Sequence, residues 1–172
     1  MFRQARGIGR EGANMKQPEK TNVMRLLQQH GKPYTAHYYD GSHGAVGGAD
    51  VAAELGQDPA RVFKTLVAVG RSKEHYVFMV PVCAELDLKK AAAAAGEKSI
   101  EMIKQKELLP LTGYVHGGCS PIGMKKQFRT TADISALAYE TIFFSAGKIG
   151  AQVEVAPEDL KDLTGCTFKE LI

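Results

Sequence analysis

Residues 61–81 read RVFKTLVAVGRSKEHYVFMVP. Two runs rich in aliphatic, aromatic and β-branched residues, Arg61–Val69 and His75–Pro81, flank the polar turn Gly70-Arg-Ser-Lys, and that arrangement predicts an antiparallel hairpin. Working outward, the strand signals are short: Tyr34–Tyr39, Gly113–His116, Thr141–Ser145 and Gln152–Val155, the last two around the loop Ala146–Gly150. Helical spacing alternates with them. Val23, Met24, Leu26 and Leu27 predict a helix over 18–30 that stops at Gly31; Asp50–Leu55 is closed by Gly56, and the alanine-rich Leu86–Ala95 by Gly96. Ser99 is placed to cap an amphipathic helix running to Leu109 before Pro110, and Pro157–Leu163 opens with Glu158 and Asp159 at its positive end. This interleaving implies a mixed α/β (α+β) domain on a curved mixed sheet rather than a doubly wound one.

A chain of 172 residues with 44% hydrophobic content suits one domain over residues 18–172. Residues 1–17 are polar and basic without periodicity and read as a disordered leader, with Met15 as an alternative start. Within them Gly7-Ile-Gly-Arg-Glu-Gly12 matches the dinucleotide fingerprint, but no strand precedes it and no helical pattern follows, so it is read as chance. There is neither an apolar run of about 18 residues nor a secretory apolar core, and the expected location is cytoplasmic. Cys83, Cys119 and Cys166 are odd in number and widely spaced, as reduced thiols are, and the five histidines show no ligand spacing, so no metal is expected. The net charge of +3 owes much to Arg3, Arg6 and Arg10 against Glu11. Contact with RNA would therefore rest on local clusters such as Lys89–Lys90 or Lys125–Lys126–Arg129.

Two features look like chemistry. The stretch Gly113–Lys126, GYVHGGCSPIGMKK, places Gly117 and Gly118 where the backbone can come close to a ligand, with Pro121 stiffening the loop behind Ser120. Such a loop presents amide donors to a carbonyl or phosphate oxygen; an ordinary turn is the alternative. Lys64 interrupts an apolar strand, sharing a face with Leu66 and Ala68 while Phe63, Thr65 and Val67 take the other. It either reaches solvent at a strand end or points a charge into a cleft. Tyr39 and His37 share a strand face and have the alternative of being half-buried strand residues.

Four ordered blocks, Val62–Leu66 (VFKTL), Val80–Lys90 (VPVCAELDLKK), Thr112–Gly123 (TGYVHGGCSPIG) and Ser145–Gly150 (SAGKIG), resemble the YbaK/EbsC family, free-standing homologues of the editing domain inserted in bacterial prolyl-tRNA synthetase. The resemblance runs over roughly residues 20–165 and implies the prolyl-tRNA synthetase editing-domain fold, a curved sheet or partial barrel flanked by short helices. It also implies trans-editing deacylation of aminoacyl-tRNA, chiefly Cys-tRNA(Pro) and also Cys-tRNA(Cys), without metal or organic cofactor and with prolyl-tRNA synthetase as a partner. In that scheme the substrate's own thiol attacks its carbonyl. Residue by residue, it assigns catalysis to Lys64, Gly117 and Gly118, and substrate binding to Tyr39, Cys119, Ser120, Pro121, Ser145 and Gln152. Some members carry an aspartate where this chain has Gln152. Lys125, Lys126, Arg129 and Lys148 are the expected tRNA contacts. Two other readings stay open: a thiol hydrolase built on Cys119 and His116, and a non-catalytic tRNA- or synthetase-binding module.

Overall fold

The computed structural model describes residues 18–172, so the expected leader lies outside the described residues. Among the described residues, eight strands form two sheets. The first is antiparallel, β1 (Thr35–Tyr38), β7 (Ala151–Val155) and β6 (Ile142–Lys148) in that order. The second is mixed, in the order β4 (Ile100–Met102), β2 (Phe63–Gly70), β3 (His75–Pro81), β5 (Arg129–Asp133) and β8 (Thr167–Lys169). The hairpin predicted from residues 61–81 is β2–β3, with Lys64 opposite Val80 and Val67 opposite Val77. A single parallel bridge, Val62 to Phe143, joins the two sheets beside the start of β2. The architecture is thus α+β and curved but not a closed barrel.

Alternation along the hairpin divides the interior. Tyr76, Phe78, Val80 and Ala68 face helix α3 (Leu88–Ala95), whose Ala91, Ala92, Ala94 and Ala95 let it approach the sheet closely. Phe63 and Met79 point the other way, into the main core, where they meet Phe144, Val153 and Val155 of the first sheet. Helix α1 (Asn22–Gln29), capped by Thr21 accepting from the Met24 amide at 3.3 Å, adds Val23, Met24 and Leu27 to that core. Helix α5 (Pro157–Thr164) adds Leu160. Burying each such side chain contributes on the order of 1.5–3 kcal/mol.

Two segments differ from the expectation. Ser99 does not open a helix: Ile100–Met102 is the edge strand β4, paired antiparallel with Gly70, Val69 and Ala68. The helix, α4 (Gln105–Thr112), begins only after its cap residue Lys104 and carries Pro110 inside it, with the Gly113 amide still reaching the Leu109 carbonyl at 2.9 Å. Nor is Gly113–His116 a strand. Gly113 takes a left-handed conformation (φ 83°), the Tyr114 amide bonds Thr112 Oγ1 at 3.0 Å, and the Gly118 amide bonds the Val115 carbonyl at 3.0 Å. The backbone groups a ladder would need are spent on local turns.

Candidate functional site

A cleft of about 250 Å³ opens where β2 begins, between the two sheets. Helix α2 (Gly48–Leu55) walls one side with Gly48 and Val51, joined by Val46, Gly47 and Val82, while Leu108 of α4 adds a further apolar contact. The wall is tight: a Cβ on Gly48 would stand 2.3 Å from Val82 Cγ1. Polar groups enter from four directions. Lys64 and Thr65 come from β2, Tyr39 from the end of β1, Ser145 and Gln152 from β6 and β7, and His116, Gly117 and Cys119 from the glycine loop. Of the nine residues expected to catalyse or bind, six therefore line one cavity.

The positive φ of Gly117 (85°) lets the loop fold against Ala45, whose Cβ would lie 2.6 Å from a Cβ at that position. No L side chain fits there. Gly118 sits against the backbone of Lys148 and Ile149, but its amide is engaged by Val115 and is not free to hold a ligand, which corrects the expectation of donors along the whole loop. The N–H groups of Gly117, Cys119 and Ser120 have no partner among the described residues. Ser120 and Pro121 are buried behind the cleft, with Ser120 Oγ accepting from the Ile122 amide at 3.4 Å, so they anchor the loop rather than line it.

Lys64 Nζ lies 3.6 Å from Glu85 Oε1, and the Glu85 side chain is 96% exposed, so this pairing is screened and readily exchanged for a ligand's anion. Tyr39 is fixed by its amide donating to the Gly150 carbonyl at 3.0 Å. Ser145 Oγ accepts from the Gly147 amide at 3.1 Å across the bulge in β6. Gln152, 3% exposed, forms a reciprocal amide pair with Gln57: Gln57 Nε2 donates to Gln152 Oε1 at 2.7 Å, and Gln152 Nε2 returns the bond at 3.0 Å.

Thr65 is the residue the sequence reading passed over. It lines the cleft, and its hydroxyl is buried without a hydrogen-bond partner among the described residues. Its position on the Phe63–Val67 face was the available clue, a polar side chain on an apolar stripe. Burial pushes the Cys119 thiol up to about 12, against a smaller opposing effect of a hydrogen bond with Thr112. A thiol so far from ionising is a poor nucleophile at neutral pH, which counts against the Cys119–His116 reading.

The four expected tRNA contacts separate. Lys148 ends β6 with its backbone next to Gly118, and the stem of Lys125 packs over Gly113. Lys126 Nζ stands 5.8 Å from the Phe128 ring centroid. Arg129 is turned to the far face: it donates to the Ala95 carbonyl at 3.2 Å and stacks 5.6 Å from the Tyr76 ring, beside α3. No cluster of three metal-binding side chains occurs among the described residues, and no helix among them is long and apolar enough to cross a membrane.

The family model of the aminoacyl-tRNA editing domain matches residues 44–163, more than two thirds of the chain and all of the cleft apart from Tyr39. The chain belongs to the aminoacyl-tRNA editing family. A relative from Enterococcus faecalis, named "Putative Cys-tRNA(Pro)/Cys-tRNA(Cys) deacylase EbsC", is 46% identical over 159 residues, covering 92% of this chain and 97% of its own. Among solved structures, "a putative trans-editing enzyme for prolyl tRNA synthetase" superposes with a TM-score of 0.76 at 26% identity, over 87% of this chain and 93% of that one. The hypothetical protein APE2540 shares the fold, with a TM-score of 0.78 at 21% identity over 87% of this chain and 97% of its own. For this editing-family chain, the cleft is the candidate site.

Proposed function

We propose that the protein is a cytoplasmic trans-editing deacylase that removes cysteine mischarged onto tRNA(Pro), and acts on Cys-tRNA(Cys) as well. The observation that carries the reading is that one small cleft gathers Lys64 and the unpartnered amides beside Gly117. An aminoacyl ester is already activated, so holding it in a reactive geometry supplies much of the acceleration. The amides of Gly117 and Cys119 would take the oxygen of the ester carbonyl as it becomes an oxyanion. Lys64, released from Glu85, would hold a phosphate or ribose oxygen of the terminal adenosine. Tyr39, Thr65, Ser145 and Gln152 would orient the aminoacyl end within the apolar wall of Val51 and Val82.

In this scheme the substrate cysteine sulfur bonds to its own carbonyl carbon, the ester C–O bond breaks, and the thiol proton ends on the ribose hydroxyl. The products are a cyclic thioester and free tRNA, with no change of oxidation state. Lys148 and Lys125 would guide the acceptor strand, and a complex with prolyl-tRNA synthetase would deliver the substrate before it reaches the ribosome. The test is release of radiolabelled amino acid from tRNA(Pro) charged in turn with cysteine, alanine, serine and proline, by the wild type and Lys64→Ala. Cys-tRNA(Pro) should be cleared fastest, and Lys64→Ala should lose about 100-fold or more in rate while staying folded. Full activity of the folded variant would remove Lys64 from the mechanism.

A further inference from the structure

The reciprocal pair between Gln57 and Gln152 has a consequence for which acyl groups the cleft admits. Gln57 follows directly after Gly56, which caps α2 in a left-handed turn, and the Gln57 amide closes that turn on the Ala52 carbonyl at 2.9 Å. Its side chain is therefore an extension of α2, the helix that supplies Gly48 and Val51 to the cleft wall. Gln152 sits on β7 between its strand neighbours His37 and Ser145, with its side chain in the cleft. The two amides, bonded at 2.7 and 3.0 Å, tie the C-terminal end of the wall to the floor. At the N-terminal end Gly48 packs closely on Val82, its neighbour in the wall. The glutamine pair therefore sets the wall-to-floor distance at the C-terminal end of α2.

The pairing also defines what Gln152 offers a ligand. A primary amide has two N–H donors and one carbonyl oxygen. A cyclic pair consumes one N–H and one oxygen lone pair from each partner, leaving Gln152 one N–H and one oxygen lone pair, each in a fixed direction. Without Gln57 the Gln152 amide could flip, exchanging donor for acceptor in a nearly dry site.

We propose that Gln57 is a positioning residue that acts through Gln152, locking the α2 wall against β7 and so setting the size of acyl group the cleft accepts. The proposal rests on the deacylase reading for its consequence but on the pair itself for its physics. The experiment measures kcat and KM on tRNA(Pro) charged with cysteine, alanine or proline, for wild type, Gln57→Leu, Gln152→Leu and the double variant. In Gln57→Leu the preference for cysteine over proline should shrink about ten-fold, through a raised KM for cysteine and faster attack by water on the prolyl ester, which carries no thiol. In the Gln152→Leu background the same change should alter the preference by less than about two-fold, because the partner is already gone. An unchanged preference, or equal loss on all three substrates as a general destabilisation would give, overturns the proposal. Should Gln57→Leu not fold, Gln57→Glu keeps the shape and one of the two bonds while setting oxygen against oxygen, and the same shrinkage is expected and the same null result overturns it. A second readout needs no activity: the Gln152 side-chain amide protons should exchange slowly by NMR in the wild type and rapidly in Gln57→Leu. Rapid exchange in the wild type overturns the proposal. Absence of deacylation on every substrate would sink the deacylase reading while the exchange measurement still decides the pair.

Discussion

Replacing Thr65 by valine should make the protein more stable and a worse enzyme. Valine matches threonine in shape and suits a strand at least as well, so packing against Phe63 and Val67 is kept. What changes is one hydroxyl on a cleft-lining residue, itself shielded from solvent and with no partner among the described residues. An unsatisfied buried polar group costs on the order of 1–3 kcal/mol. Removing the hydroxyl should recover roughly 1 kcal/mol of that, which for a domain of this size raises Tm by about 2–4 °C. If the hydroxyl serves the aminoacyl ester, substrate loses one hydrogen bond, worth about 0.5–1.5 kcal/mol and so roughly a two- to twelve-fold drop in kcat/KM. Differential scanning calorimetry and single-turnover deacylation of Cys-tRNA(Pro) read the two halves separately. A lower Tm would mean that the hydroxyl is satisfied in solution. A raised Tm with unchanged kcat/KM would mean that the substrate never uses it.

Further outcomes follow from other contacts. Iodoacetamide at neutral pH should label the exposed Cys83 well before Cys119, whose thiol is pushed up to about 12 by burial, and activity should survive the labelling; loss of activity in step with Cys119 labelling would restore the thiol mechanism. Gly48→Ala should cost about 1–3 kcal/mol through its clash with Val82, and Val82→Ala should restore most of it in urea titrations; additive losses would place the clash elsewhere. Glu154 feels burial, which raises its pKa, but bonds from Thr141 at 2.6 Å and His37 at 2.9 Å and the Arg61 charge leave it below the ordinary 4.5. A depressed folded value contributes stability that is present above pH 4.5 and lost as pH falls through the folded value. Glu154→Gln should therefore flatten the acid limb of a Tm-against-pH curve, and an unchanged limb would assign it to other carboxylates.

The hairpin and most helices were legible because their signals are local. Gly56, Gly96 and Gly165 each end a helix in a left-handed turn, and Asp87 caps α3 by accepting from the Lys89 and Lys90 amides. Apart from Gly113–His116, whose backbone turns locally, the misread or missed segments depend on distant partners. Ile100–Met102 is a strand only because Gly70, Val69 and Ala68 offer it an edge, and β5 and β8 were unseen because their ladders are parallel and their partners far off in the chain. In the site, Lys64, Gly117 and Tyr39 stood out as exceptions to a local pattern or as parts of the family resemblance. Gln57 and Thr65 did not. A glutamine in a polar turn and a threonine in a strand are ordinary until the fold brings one to Gln152 and buries the other.

The lining explains why such a cleft would suit one kind of substrate. Tyr39, Lys64, His116 and Cys119 are its ionisable members; no carboxylate is among them, and Cys119 stays protonated. A hydrolase for unactivated bonds needs a base to make water a nucleophile, and carboxylates commonly supply or orient it. An editing site on an activated ester can leave the nucleophile to the substrate, provided the ester is held and the oxyanion is met by fixed amides. A cysteine side chain brings a thiol that ionises far more readily than a serine hydroxyl. The walls then need to exclude only what is too large. On this account selectivity divides between two physical causes, acyl size at Val51, Val82 and the Gln57-held helix, and nucleophilicity carried in by the substrate itself. Neither demands a reactive residue from the protein, so on this account a cleft with one cation and a few unpartnered amides would suffice.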